Sequence, residues 1–266
     1  MRGLQIAAVL AAILGMPTSA AAQALVSLYA AGSLRGALTE VAKAYEASSG
    51  LKVEAKYGPS GLLRDEIAGG AKAEVFASAN MAHPQALSRA NKSGPVTRFT
   101  RNRLCALVKP GLAVEPANLL DRMLDPNVKL GTATPKADPS GDYAWDVFRK
   151  ADAVKAGAFT ALEKKVLQLT GGPNSPPPPP GRNAYGHVVA EGKADIFLTY
   201  YTNAVVAKRE NPAQQIVALP EALSVGADYG LTVVAGASAN AEKLAAFILS
   251  PDGQRILAKH GFAPPN

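Results

Sequence analysis

Residues 25–29 form a short apolar run, Leu25, Val26, Leu28 and Tyr29 around Ser27, that ends in the small residues Ala30, Ala31, Gly32 and Ser33. The period then changes. Leu34, Leu38, Val41, Ala42 and Tyr45 fall at helical spacing, so the pattern predicts a strand over 25–29 and a helix over 34–48. Residues 51–57 alternate, with Leu51, Val53 and Ala55 on one face and Lys52, Glu54 and Lys56 on the other, which is the signature of a half-buried strand. Gly58-Pro59-Ser60-Gly61 leads into a short amphipathic helix over 62–68, stopped by Gly69-Gly70. A buried strand follows at 74–78, and His83-Pro84 opens a helix that runs to near Gly94.

The same alternation continues. Strands are predicted at 103–109, 129–133, 194–200, 215–219 and 230–235, and helices at 143–151, 159–169, 183–191, 241–249 and 252–259. Strand–loop–helix order of this kind predicts an α/β protein with a largely parallel sheet. The exception to the pattern is Gly171-Gly172-Pro173-Asn174-Ser175 followed by five prolines at 176–180. A proline run has no amide donors and a fixed φ, so it reads as an exposed, stiff loop insertion. No internal repeat is visible.

The first residues change the picture of where the chain works. A basic start at Met1-Arg2, an apolar run over 4–16 and the small residues Ser19-Ala20-Ala21-Ala22 have the layout of a secretory signal peptide, with cleavage expected after Ala22. The run is short for a membrane span, and no cysteine follows it to carry a lipid. Residues 1–22 are therefore expected to direct export, in a bacterium to the periplasm. The full chain has 266 residues and a formal net charge of +7, with the basic residues scattered. That gives no nucleic-acid patch, and a mild positive field favours small anions. The single cysteine, Cys105, sits in an apolar run and is expected to be buried in a strand.

Four loops share one design: Ala31-Gly32-Ser33, Gly58-Pro59-Ser60-Gly61, Asp138-Pro139-Ser140-Gly141 and Gly181-Arg182-Asn183. Each joins an extended segment to a helix start. There the first backbone N–H groups have no helical acceptor and the helix dipole is positive, so an anion can be held without a charged side chain. Capping alone also explains serine and glycine at such positions. Enzymatic and metal chemistry find less support. His83, His187 and His260 lack ligand-type spacing, and Gly58-Pro59-Ser60-Gly61-Leu62 falls short of a nucleophile elbow. The pair Tyr200-Tyr201 keeps open a ferric-ion site built from phenolates. No DNA-binding helix pair accompanies the chain, which argues against a transcription regulator.

From residue 25 to 262 the chain resembles the periplasmic molybdate-binding proteins of ABC importers. The likeness is carried by Ala30-Ala31-Gly32-Ser33-Leu34, by the Ser60 loop with Gly70-Ala71-Lys72-Ala73-Glu74-Val75-Phe76-Ala77-Ser78-Ala79, and by Ser250-Pro251-Asp252-Gly253-Gln254 with Gly261-Phe262. The resemblance implies a two-lobed type II periplasmic binding protein fold, each lobe a mixed, mainly parallel sheet flanked by helices. Lobe one would comprise 23–100 and 229–266, lobe two 101–228, with crossings near Arg101 and Asp228. It also implies a molybdate or tungstate site of Ser33 and Ser60 from lobe one and Ser140, Arg182 and Tyr200 from lobe two. No cofactor, no protein–metal bonds and no catalysis are expected. The implied partners are the oxyanion and a membrane permease, met by a monomer. Two departures stand out. Arg182 replaces a small or aliphatic residue, and the proline insertion lies beside it, so another oxyanion or a small carboxylate is the alternative ligand.

Overall fold

The structure is a computed structural model and describes residues 25–266. The expected signal peptide, 1–22, lies outside the described residues. The chain begins with β1 (Leu25–Ala31), a single turn of 3-10 helix (Gly32–Leu34), α1 (Arg35–Ser49), β2 (Lys52–Gly58), α2 (Ser60–Ala68), β3 (Val75–Ser78) and α3 (Ala82–Arg89). The middle of the chain holds β4 (Thr97–Val108), α4 (Leu119–Leu124), β5 (Leu130–Ala133), α5 (Pro139–Val154), α6 (Ala158–Lys165), β6 (Leu167–Thr170) and α7 (Ala184–Ala190). It ends with β7 (Ile196–Tyr200), α8 (Tyr201–Glu210), β8 (Gln215–Ala218), β9 (Gly226–Val233), α9 (Ala239–Leu249) and α10 (Pro251–Lys259).

These nine strands form a mixed sheet in the order β2-β1-β3-β9-β4-β7-β5-β6, with β8 pairing β4 off that path. β1 pairs in parallel with β2 and β3, and β5 pairs in parallel with β6 and β7. Two antiparallel strands join these groups. The first part of β4 pairs with β9, placing Arg101 opposite Asp228, and the second part pairs with β7 and β8. β4 is therefore the spine shared by both halves of the sheet.

Local sequence explains the halves. α1 buries Ala37, Leu38, Val41, Ala42 and Tyr45, one stripe at helical spacing, against a core that includes Val26, Leu28 and Ala30 of β1. It ends where Gly50 takes a left-handed backbone, φ 71°, a conformation glycine adopts without a Cβ penalty. In the other half, α5 buries Ala144, Val147, Phe148 and Ala151. Cys105 is buried in β4 as expected, and burial pushes its thiol up to about 12.

Three expectations are corrected. The helix expected over 159–169 stops at Lys165, Val166 turns extended, and residues 167–170 become strand β6 on the edge of β5. A helix, α8, follows β7 directly where none was expected. The expected strands at 103–109 and 230–235 prove longer at their starts, because they pair with each other as β4 and β9. The prolines at 176–180 are neither helix nor strand and are largely exposed.

Candidate functional site

The ends of β1, β3, β5 and β7 point toward one region, and each leads into or lies beside a helix start. Ser33 sits in the 3-10 turn after β1, and Ser60 is the first residue of α2. Their amides lie in first turns, where the helix offers no acceptor. Neither hydroxyl caps its own helix. Ser60 is buried, and its Oγ accepts from the amide of Ala79, 3.1 Å away, just beyond β3. Ala79 in turn accepts on its carbonyl from Tyr200 Oη, at 3.2 Å. One peptide segment thus links a serine from the β1 half to a tyrosine from the β7 half.

Tyr229, on β9, extends this link. Its ring packs at 5.5 Å against Tyr200, and its hydroxyl lies 2.9 Å from Ser33 Oγ. Asn102 on β4 donates through Nδ2 to Tyr229 Oη at 3.2 Å and to Thr202 Oγ1 at 2.8 Å. Tyr143 from α5 meets Tyr200 edge-on at 6.2 Å. Burial raises the pKa values of Tyr143, Tyr185, Tyr200 and Tyr229, so their hydroxyls remain neutral donors at physiological pH.

The third serine is placed by α5. Asp138 caps this helix, and its Oδ1 accepts from both the amide and the hydroxyl of Ser140, each at 3.0 Å. Tyr185 of α7 donates through its hydroxyl to Asp138 Oδ2 at 3.2 Å. The loop before Asp138 touches α2, where Gly61 N–H donates to Ala137 O at 2.8 Å. A Cβ on Gly61 would collide with the carbonyl oxygens of Lys136 and Ala137, so only glycine permits this approach.

The structure brings Ser33, Ser60 and Tyr200 into one connected cluster, with Ser140 joined through the Gly61–Ala137 contact. It places Arg182 elsewhere. The Arg182 Nε donates to Glu210 Oε2 at 3.3 Å on the end of α8, and its amide donates to Pro179 O at 3.1 Å. Side chain and backbone donor are both engaged outside the cluster. Tyr201 also parts from Tyr200: its ring lies under the Arg103 guanidinium, 4.4 Å away, while Tyr200 faces Ala79. Asp138, Tyr185, Tyr229 and Asn102 are members that sequence reasoning missed. Asp138 alone carried a signal, as an aspartate before Pro-Ser-Gly at a helix start.

Two α/β halves joined through the paired strands β4 and β9 make the type II periplasmic binding protein fold. The bacterial extracellular solute-binding protein family matches residues 26–263, and the chain belongs to that family. It is 34% identical over 241 residues to the uncharacterized protein PM1146 of Pasteurella multocida (strain Pm70), covering 90% of this chain and 98% of that one. It is 26% identical over 262 residues to the molybdate-binding protein ModA of Mycobacterium tuberculosis (strain ATCC 25618 / H37Rv), covering 94% and 87%. Among solved structures, the sulfate-binding protein SubI from Mycobacterium tuberculosis H37Rv superposes with a TM-score of 0.75 at 19% identity, covering 91% of this chain and 87% of that one.

Proposed function

We propose that this chain is an exported, periplasmic substrate-binding protein of an ABC importer that captures a small oxyanion between its two lobes. Residues 23–100 and 229–266 would form lobe one and 101–228 lobe two. Molybdate, with tungstate next, is the ligand that the similarity to ModA proteins favours. The observation that carries the reading is the Ser60–Ala79–Tyr200 link, in which hydroxyls from both halves meet at the backbone of one residue beside two helix starts. A buried dianion is stabilised there by fixed neutral dipoles. Ser33, Ser60 and Tyr200 are the donors, and Ser140 supplies the fourth position. Tyr200 gives its hydroxyl to the ligand by leaving Ala79 O.

Because the ligand touches both lobes, binding favours the closed state, which is the form a membrane permease would recognise. Calorimetric titration of the mature protein with molybdate, tungstate, sulfate, phosphate, citrate and a ferric chelate tests the proposal. Binding of molybdate and tungstate is expected. Heat from citrate or the ferric chelate alone would overturn the oxyanion reading and leave the transport role.

A further inference from the structure

In an otherwise neutral set of donors, Asp138 places a carboxyl. It is 7% exposed, with its side chain pressed against the backbone at Gly171. It has no salt-bridge partner among the described residues. The groups around it are Tyr185 of α7, Tyr200 of β7, Tyr229 of β9, and Asp142 of its own helix. Lys136, in the preceding turn, acts on Asp142 instead, to whose Oδ1 its amide donates at 2.8 Å. The carboxyl already holds the amide and hydroxyl of Ser140, the donors that an oxyanion in this position requires.

A ligand oxygen that takes either Ser140 donor therefore approaches Asp138 Oδ1. Two anionic oxygens at that distance repel, whereas one proton between them makes a short, charge-assisted hydrogen bond. We propose that Asp138 is a specificity residue that makes the cleft accept an oxyanion together with one proton, shared between its carboxyl and a ligand oxygen. This rests on the oxyanion reading and deepens it. A fully deprotonated oxyanion such as molybdate or sulfate draws the proton from solvent. Monohydrogen phosphate brings its own. Burial also raises the pKa of Asp138, which favours the protonated carboxyl.

The test is calorimetry of the mature protein at about pH 8.5 in two buffers of different protonation enthalpy, which counts protons taken up per ligand bound. About one proton is expected with molybdate or sulfate, and about none with phosphate. Molybdate affinity should fall by up to about tenfold per pH unit as pH rises. Asp138→Asn, which retains a helix-capping side chain, should abolish the uptake and flatten the pH profile. Molybdate binding by the wild-type protein without proton uptake would overturn the role of Asp138 and leave the oxyanion reading intact. No binding of molybdate, sulfate or phosphate to either protein would overturn both.

Discussion

Ser33 and Ser60 each offer a hydroxyl beside a helix-start amide, so truncating one removes part of a paired donor. A hydrogen bond to a charged group contributes about 1.5–3 kcal/mol, so Ser33→Ala or Ser60→Ala is expected to weaken oxyanion binding roughly 10- to 100-fold by titration calorimetry. Tyr201→Phe should change it little, since that ring covers Arg103. Unchanged affinity in Ser33→Ala would remove the assignment of that residue. His83 gives a different kind of single-residue prediction. Its Nδ1 lies 3.1 Å from Arg64 Nη1, and its Nε2 is buried without a partner. Burial first, and then the Arg64 charge, lower its pKa from 6.5 to about 4. Between those values the unfolded chain binds a proton that the native protein does not, so stability falls as pH drops through that window, by a few kcal/mol at most. His83→Gln keeps an acceptor for Arg64 without titrating. The acid-side decline of the thermal midpoint should be shallower in that variant, and an equal decline would clear His83 of the effect.

At the scale of elements, the approach of α2 to the loop before α5 is set by Gly61. A methyl group there would meet Ala137 O at 2.7 Å and the Lys136 carbonyl still closer, and the Gly61–Ala137 hydrogen bond would be lost. Overpacking of this kind costs about 1–3 kcal/mol. On the proposed lobe closure the clash arises when the halves meet, so Gly61→Ala should lower ligand affinity roughly 10- to 100-fold while leaving the thermal midpoint of the ligand-free protein near wild type. A matching loss of stability without ligand would show that the contact belongs to the fold itself. Elements with their own period, such as α1 with Leu38, Val41 and Tyr45, were legible in the sequence. Those defined by a distant partner were not. Phe159, Leu162, Val166 and Leu169 continue a helical period, yet pairing with β5 turns residues 167–170 into strand. The four serine- or glycine-rich loops were legible as helix starts, but their convergence was not. Asn102 and Tyr229 lie just before the strands expected at 103–109 and 230–235, and only the pairing of β4 with β9 brings them together. Glu210, 28 residues from Arg182 in sequence, draws that arginine away in a manner no local pattern reveals.

For the whole molecule, the proposed capture by lobe closure turns on the contacts between the halves around the site, where the Tyr200–Tyr229 ring packing and the Asn102–Tyr229 hydrogen bond accompany two further hydrogen bonds. Gly61–Ala137 and Tyr200–Ala79 are two neutral hydrogen bonds, each with a net contribution of about 0.5–1.5 kcal/mol. β4 and β9 are continuous with the sheet, and on the proposed closure they serve as the hinge and persist in either form. These two hydrogen bonds together favour closure without ligand by no more than about 3 kcal/mol, against the entropy gained on opening. A ligand that binds only the closed form shifts this balance by its differential affinity, and a ligand at about 100 times its dissociation constant adds about 2.7 kcal/mol of stability. Small-angle scattering should therefore show the mature protein contracting on addition of molybdate. Tyr200→Phe, which removes one of the two bonds, should leave the ligand-free protein at least as extended as wild type and require more ligand to contract. A scattering curve unchanged by saturating ligand, with binding confirmed in the same sample, would show that capture proceeds without lobe closure.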